Sequence, residues 1–122
     1  MQPQKIHYRK ASKTLELTFQ NTLYSLSAEF LRVHSPSAEV RGHGGKGEVL
    51  QIEKKNVAIT GIEASGNYAV KISYDDGHDS GLYSWDYLWE LCQHQEEYWQ
   101  KYIEKLEAAG QKRESSVFFK SV

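Results

Sequence analysis

Residues 57–84 read VAITGIEASGNYAVKISYDDGHDSGLYS, and the alternation inside this stretch decides the fold class. Tyr68, Val70, Ile72 and Tyr74 share one face of an extended chain, while Ala69, Lys71 and Ser73 share the other. Successive side chains of a strand point to opposite sides, so this spacing predicts a half-buried strand. Ser65-Gly66 predicts a short reverse turn between VAITGIEA (57–64) and NYAVKISY (67–74). Gly61 breaks the alternation between Ile59 and Ile62, as a β-bulge does. Asp76-Gly77 accepts positive φ readily, which predicts a two-residue hairpin turn. The stretch therefore reads as a three-strand antiparallel meander.

Upstream, KIHYR (5–9), TLELTF (14–19) and TLYSLS (22–27) also alternate, with Gln20-Asn21 as a hairpin turn. Ser27 suits the N-cap of a short helix, AEFLRVH (28–34), because its hydroxyl can accept a bond from an orphan amide. Pro36 disfavours helical geometry at Ser35. Ser35-Pro36 then predicts cap and first position of a second turn, SPSAEVR, ending at Gly42. GHGGKGE (42–48) reads as a loop. Downstream, Ser84 caps a long helix with Asp86 in its first turn. Leu88, Leu91, Cys92, Gln95, Trp99, Tyr102 and Leu106 form its apolar stripe, and Gly110 stops it. Glu97 and Lys101 form an i,i+4 pair on the opposite side. The expected architecture is one α+β domain over residues 1–122. It has an antiparallel β-sheet (hairpin plus three-strand meander), a short helical segment and a long C-terminal amphipathic helix. Residues 109–122 form a tail carrying Val117, Phe118 and Phe119.

The 122 residues suit one modest core. Fifteen Lys and Arg oppose sixteen Asp and Glu, for a formal net charge of −1, which disfavours a general nucleic-acid binder. A lone cysteine, Cys92, allows no intrachain disulfide. No apolar run is long enough to span a membrane and the N-terminal residues carry no secretory h-region, so a cytoplasmic location is expected.

Candidate chemistry is sparse. GHGGKGE lacks the Ser or Thr that follows the lysine of a phosphate-binding loop. Cys92 and His94 point about 200° apart on a helix, and Cys92 lies in the apolar stripe, so it reads as core. His94-Gln95-Glu96 matches the bare string of an iron-oxygenase triad, but no histidine follows to complete it. The tryptophans and tyrosines read mainly as core, with an aromatic interaction face as the alternative. His34, His43 and His78, the last flanked by Asp75, Asp76 and Asp79, are the candidate ligands for zinc or iron.

FLRVHSPSAEVRGHG (30–44), GIEASGNYAVKISYDDGHDSGLYSW (61–85) and DYLWELC (86–92) together resemble one family. This is DUF971, the gamma-butyrobetaine hydroxylase-like N-terminal domain, and the likeness spans about residues 5–108. The resemblance implies an accessory or docking module. In the carnitine-pathway oxygenases this module precedes the iron- and 2-oxoglutarate-dependent catalytic domain and carries a structural zinc. It also occurs at the end of ATPases with iron–sulfur clusters. The hydroxylases supply three thiolates from an L-R-x-x-C-x-C-x-x-C run and a histidine from the acidic hairpin. Here Leu31 and Arg32 match, the cysteine positions hold Ser35, Ser37 and Val40, and the histidine position holds His78. Hydroxyls are poor zinc ligands beside thiolates and valine is none, so the family zinc site is expected to be lost.

The leading expectation is a non-enzymatic accessory module that binds another protein and holds no cofactor. The alternatives are a metal-linked role in iron or iron–sulfur handling through His78, His34 and His43, and a small-ligand-binding domain around the same histidines.

Overall fold

The computed structural model describes residues 1–41 and 48–114. The glycine-rich loop read at 42–48, with His43, and the tail residues Val117, Phe118 and Phe119 lie outside these apart from Glu48. Ten elements follow in order: β1 (Lys5–Arg9), β2 (Thr14–Phe19), β3 (Thr22–Ser27), α1 (Ala28–Val33), α2 (Ala38–Arg41), β4 (Ile59–Ser65), β5 (Ala69–Tyr74), β6 (Gly81–Ser84), α3 (Trp85–Gln93) and α4 (Gln95–Ala108). The α+β class is as expected, with the strands divided into two three-stranded antiparallel sheets, β1-β2-β3 and β4-β5-β6.

In the first sheet, Leu15, Leu17 and Phe19 of the central strand β2 are fully buried, as period-two alternation requires. Gln20 and Asn21 both take positive φ, 49° and 63°, the pairing a tight two-residue hairpin needs. The Ser27 hydroxyl then accepts the Phe30 amide at 3.0 Å and starts α1.

The second sheet carries the expected bulge, a register shift between Ile59 and Gly61. Two turns differ from expectation. Gly66, at φ 59°, opens a longer connection in which Ser65 pairs with Ala69. Tyr68 consequently leaves the strand and stands 64% exposed, while Val70, Ile72 and Tyr74 are buried. The second hairpin loop is Asp75-Asp76-Gly77, not two residues. Gly77 donates to the Tyr74 carbonyl at 3.1 Å and takes φ 87°, and the Tyr74 amide reaches the His78 carbonyl at 2.9 Å. A turn followed by one left-handed glycine is the usual three-residue solution.

Two helical expectations are also corrected. The second helix starts at Ala38, where the amides of Val40 and Arg41 reach the Ser37 carbonyl. The helix thus begins later than expected, although the Ser35 hydroxyl accepts the Ser37 amide at 3.4 Å, two residues on as a cap does, while also bonding His78. The C-terminal helix is broken at His94, at φ −118° and ψ 24°, although the backbone bonds from His94 to Glu90 and from Tyr98 to His94 continue across the break. The His94 ring stacks on Tyr98 and approaches Glu97 at 3.2 Å. Both halves reach the main core, with Tyr98 and Trp99 of α4 packed against it. Leu88, Leu91 and Cys92 of α3 join the main core with both sheets and α1. Tyr102 and Leu106 of α4 pack with Val33 in a second, smaller core. Each fully buried leucine or phenylalanine side chain contributes about 2 kcal/mol.

Candidate functional site

The hairpin after β5 and the segment between α1 and α2 meet around His78. Pro36 ends the helical path, and the chain turns so that Ser35 and Ser37 both face the histidine. The Ser35 Oγ lies 2.8 Å from His78 Nε2, and the Ser37 Oγ lies 3.3 Å from the same nitrogen. The two hydroxyls are 3.3 Å apart, and the Ser37 amide also reaches Ser35 Oγ. On the other side of the ring, Nδ1 stands 3.3 Å from Glu39 Oε2. A carboxylate can only accept there, so Nδ1 carries the proton and Nε2 accepts from a serine hydroxyl. Burial pushes the His78 pKa down, and the Arg32 charge adds to this against the pull of Glu39, so the ring is neutral at pH 7.

Serine, histidine and carboxylate in this order have the wiring of an acyl-transfer triad. The environment rules that chemistry out. Ser35 has 0% of its surface exposed, so its hydroxyl cannot reach a substrate. Gly81 closes over it: a Cβ at that position would lie 2.5 Å from Ser35 Oγ. Glu39 has the reverse setting from a triad acid, with its side chain 69% exposed. Cys92, the other candidate nucleophile, is buried, and burial pushes its thiol up to about 12.

Asp76 anchors the hairpin to α1. Its Oδ2 accepts from Arg32 Nε at 2.9 Å and from Lys54 Nζ at 2.6 Å, and its Oδ1 accepts the His78 amide at 3.1 Å. Arg32 is buried and also donates to Gln51. Burial alone would raise the Asp76 pKa, but the bonds from Lys54, the His78 amide and Arg32 outweigh it and bring it to about 2. Beside this cluster, the Tyr83 hydroxyl donates to the Leu31 carbonyl at 2.6 Å and meets the Tyr74 hydroxyl at 2.7 Å.

Ser35, Ser37 and His78 are thus brought together, and Val40 is buried nearby in sequence on α2. Their chemistry does not fit zinc. Two neutral hydroxyls, one imidazole whose Nε2 already accepts a hydrogen bond, and an aliphatic side chain do not make a four-donor set. His34 is not joined to them: its Nδ1 donates to the Phe30 carbonyl at 2.8 Å and its residue lines a neighbouring cavity that Ser35 also borders. Among the described residues no three His, Cys, Asp or Glu side chains are grouped to hold a metal ion. Sequence reasoning missed Glu39 and the Arg32–Asp76–Lys54 anchor. Arg32 matched the resemblance, but nothing local pairs it with an aspartate 44 residues away.

The family model for the gamma-butyrobetaine hydroxylase-like N-terminal domain matches residues 6–89. Several solved structures are similar, among them the following. A solution NMR structure, 52% identical, covers 97% of this chain and 96% of its own with a TM-score of 0.83. A second, 42% identical, covers 98% and 93% with a TM-score of 0.78. A crystal structure of an Acidithiobacillus ferrooxidans protein of unknown function in the DUF971 family is 28% identical, covering 74% and 91% with a TM-score of 0.62. No curated protein matches the chain. No described helix is long and apolar enough to cross a membrane.

Proposed function

The chain belongs to the gamma-butyrobetaine hydroxylase-like N-terminal domain family, and from that premise we propose that it is a non-catalytic accessory module that engages another protein. One observation carries the reading: the best-wired group of reactive side chains ends in Ser35, which has no exposed surface. A nucleophile without access is a structural element, and here it joins the α1–α2 segment to the second sheet. We read the Ser35–Ser37–His78 cluster as a hydrogen-bonded replacement for the zinc site that the hydroxylases carry, so that hydroxyl-to-imidazole bonds do the joining that metal–thiolate bonds do there. The side chains assigned to the partner contact are Tyr68, in the turn between β4 and β5, and Leu82, on β6, which stand 64% and 48% exposed.

Two measurements test this. Incubated with ferrous iron, 2-oxoglutarate and either gamma-butyrobetaine or trimethyllysine, the pure protein should release no succinate above the blank. Protein made without an affinity tag should carry zinc and iron far below one equivalent by mass spectrometry. Substrate-dependent succinate release would overturn the non-catalytic reading. Stoichiometric metal that disappears in His78→Ala would overturn the metal-free reading and favour a role in metal handling.

A further inference from the structure

Next to the His78 cluster, and bordered by its Ser35, the helices α1, α2, α3 and α4 and residues 48–51 line a half-open cavity of about 720 Å³. That volume lies within the range of small-molecule sites, which run from about 300 to 1,000 Å³. Its lining sorts into groups already committed and groups left over.

The tyrosine hydroxyls are committed. Tyr87 donates to the His34 carbonyl at 2.6 Å, Tyr98 to Glu90 at 2.6 Å, and Tyr102 to the Gln51 carbonyl at 2.7 Å. What these residues offer a guest is therefore ring edge, since Arg41 lies over the Tyr87 ring and the His34 and His94 rings stack on Tyr98. Two of the cations are also matched: Lys101 with Glu97 at 3.0 Å and Lys105 with Glu48 at 3.1 Å. Glu48 and Glu90, the carboxylates on the wall, are occupied by the same bonds.

Two polar groups remain. The Arg41 guanidinium lies 4.6 Å from the centre of the Tyr87 ring and has no carboxylate partner among the described residues. A guanidinium resting on an aromatic face keeps its N–H edge free for a planar anion. His34 is the second. Its Nδ1–H is used by the Phe30 carbonyl, so the neutral ring keeps Nε2 as an acceptor, and among the described residues nothing donates to it. Burial lowers the His34 pKa, which holds the ring in that neutral form at pH 7. The ring also stacks on Tyr98, with centroids 5.9 Å apart.

The geometry points to a binding site for a small aromatic carboxylate bearing a hydroxyl or N–H donor: Arg41 takes the carboxylate, the Tyr87 and Tyr98 rings flank the aromatic body, and His34 Nε2 accepts the donor. This goes beyond the accessory role and does not depend on it: Ser35 borders the cavity, but the four groups assigned to the ligand, Arg41, Tyr87, Tyr98 and His34, lie outside the His78 cluster.

The experiment is an NMR titration of the full chain with 4-hydroxybenzoate, followed at the ring protons of His34, Tyr87 and Tyr98. Saturable shifts at all three are expected. Benzoate, which lacks the donor, and 4-hydroxybenzamide, which lacks the charge, should each bind about tenfold more weakly, the factor for losing one good hydrogen bond or charge-assisted contact. Arg41→Gln, a change at an exposed position, should weaken 4-hydroxybenzoate by about tenfold or more. Absence of saturation would overturn the proposal. So would equal affinity for benzoate or for 4-hydroxybenzamide, or inorganic phosphate binding as tightly with the same shifts. The wild-type comparisons decide the matter even if the variant folds poorly.

Discussion

At the scale of single residues, His78 and Asp76 sit two positions apart and do different jobs. His78 is held on both ring nitrogens, so removing the ring leaves Ser35 Oγ buried without its partner. His78→Ala should cost about 3 kcal/mol, the sum of a small cavity and an unsatisfied buried hydroxyl, read by urea unfolding. A loss below 1 kcal/mol would show that the cluster is not a structural joint. Asp76 reports through pH. Its folded pKa of about 2 lies below the unfolded value of 3.8. Stability from the group is therefore complete above pH 4 and is lost as pH falls through the folded pKa, because the unfolded state binds the proton first. The shift corresponds to about 2 kcal/mol. Asp76→Asn should flatten the decline in stability between pH 4 and pH 2, and an unchanged acid limb would contradict the assignment. Asp76 was readable in advance as a turn residue and as a carboxylate beside a candidate histidine ligand. Its bonds to Arg32 and Lys54 come from segments 44 and 22 residues away.

At the scale of elements, the hairpin between β5 and β6 holds two glycines that are needed for different reasons. Gly77 is a matter of backbone conformation: φ is 87° and nothing lies within 4 Å of an added Cβ. Gly81 is a matter of space, since its Cβ would meet Ser35 Oγ at 2.5 Å and Tyr83 at 3.2 Å. Gly77→Ala should cost about 1 kcal/mol, the strain of a left-handed alanine. Gly81→Ala should cost more, about 2–3 kcal/mol by overpacking, and should also shift the His78 ring resonances. If the two lose the same stability and the His78 signals stay put, the packing of Ser35 under Gly81 is not what closes the site. The strands themselves were legible, because alternation and the Gly61 irregularity are local properties of the chain. The break at His94 was not. No proline or glycine marks it.

At the scale of the molecule, the segment after α4 returns to the other end of the chain. Arg113 donates two bonds of 2.8 Å to the carboxylate of Glu29, which is buried in the first turn of α1, and rests over the Trp99 ring. Arg113→Ala would strand that carboxylate and should cost about 3 kcal/mol or more. Lys101→Ala, which breaks the exposed pair with Glu97, should stay within about 0.5 kcal/mol. Equal effects in thermal unfolding would mean that the Arg113 fork is frayed in solution. By itself the sequence determined the strands, the helix starts at Ser27 and Ser84, the α+β class and the family, because alternation, capping and turn chemistry act over a few neighbouring residues. It also placed His78 opposite Ser35 and Ser37, but only through the resemblance. Only the tertiary structure decided that these three residues meet as a sealed hydrogen-bonded joint, that Arg32 and Glu29 find partners, and that four helices leave a cavity beside His34. Those outcomes depend on burial and on pairs far apart in the chain, and neither is written in local periodicity.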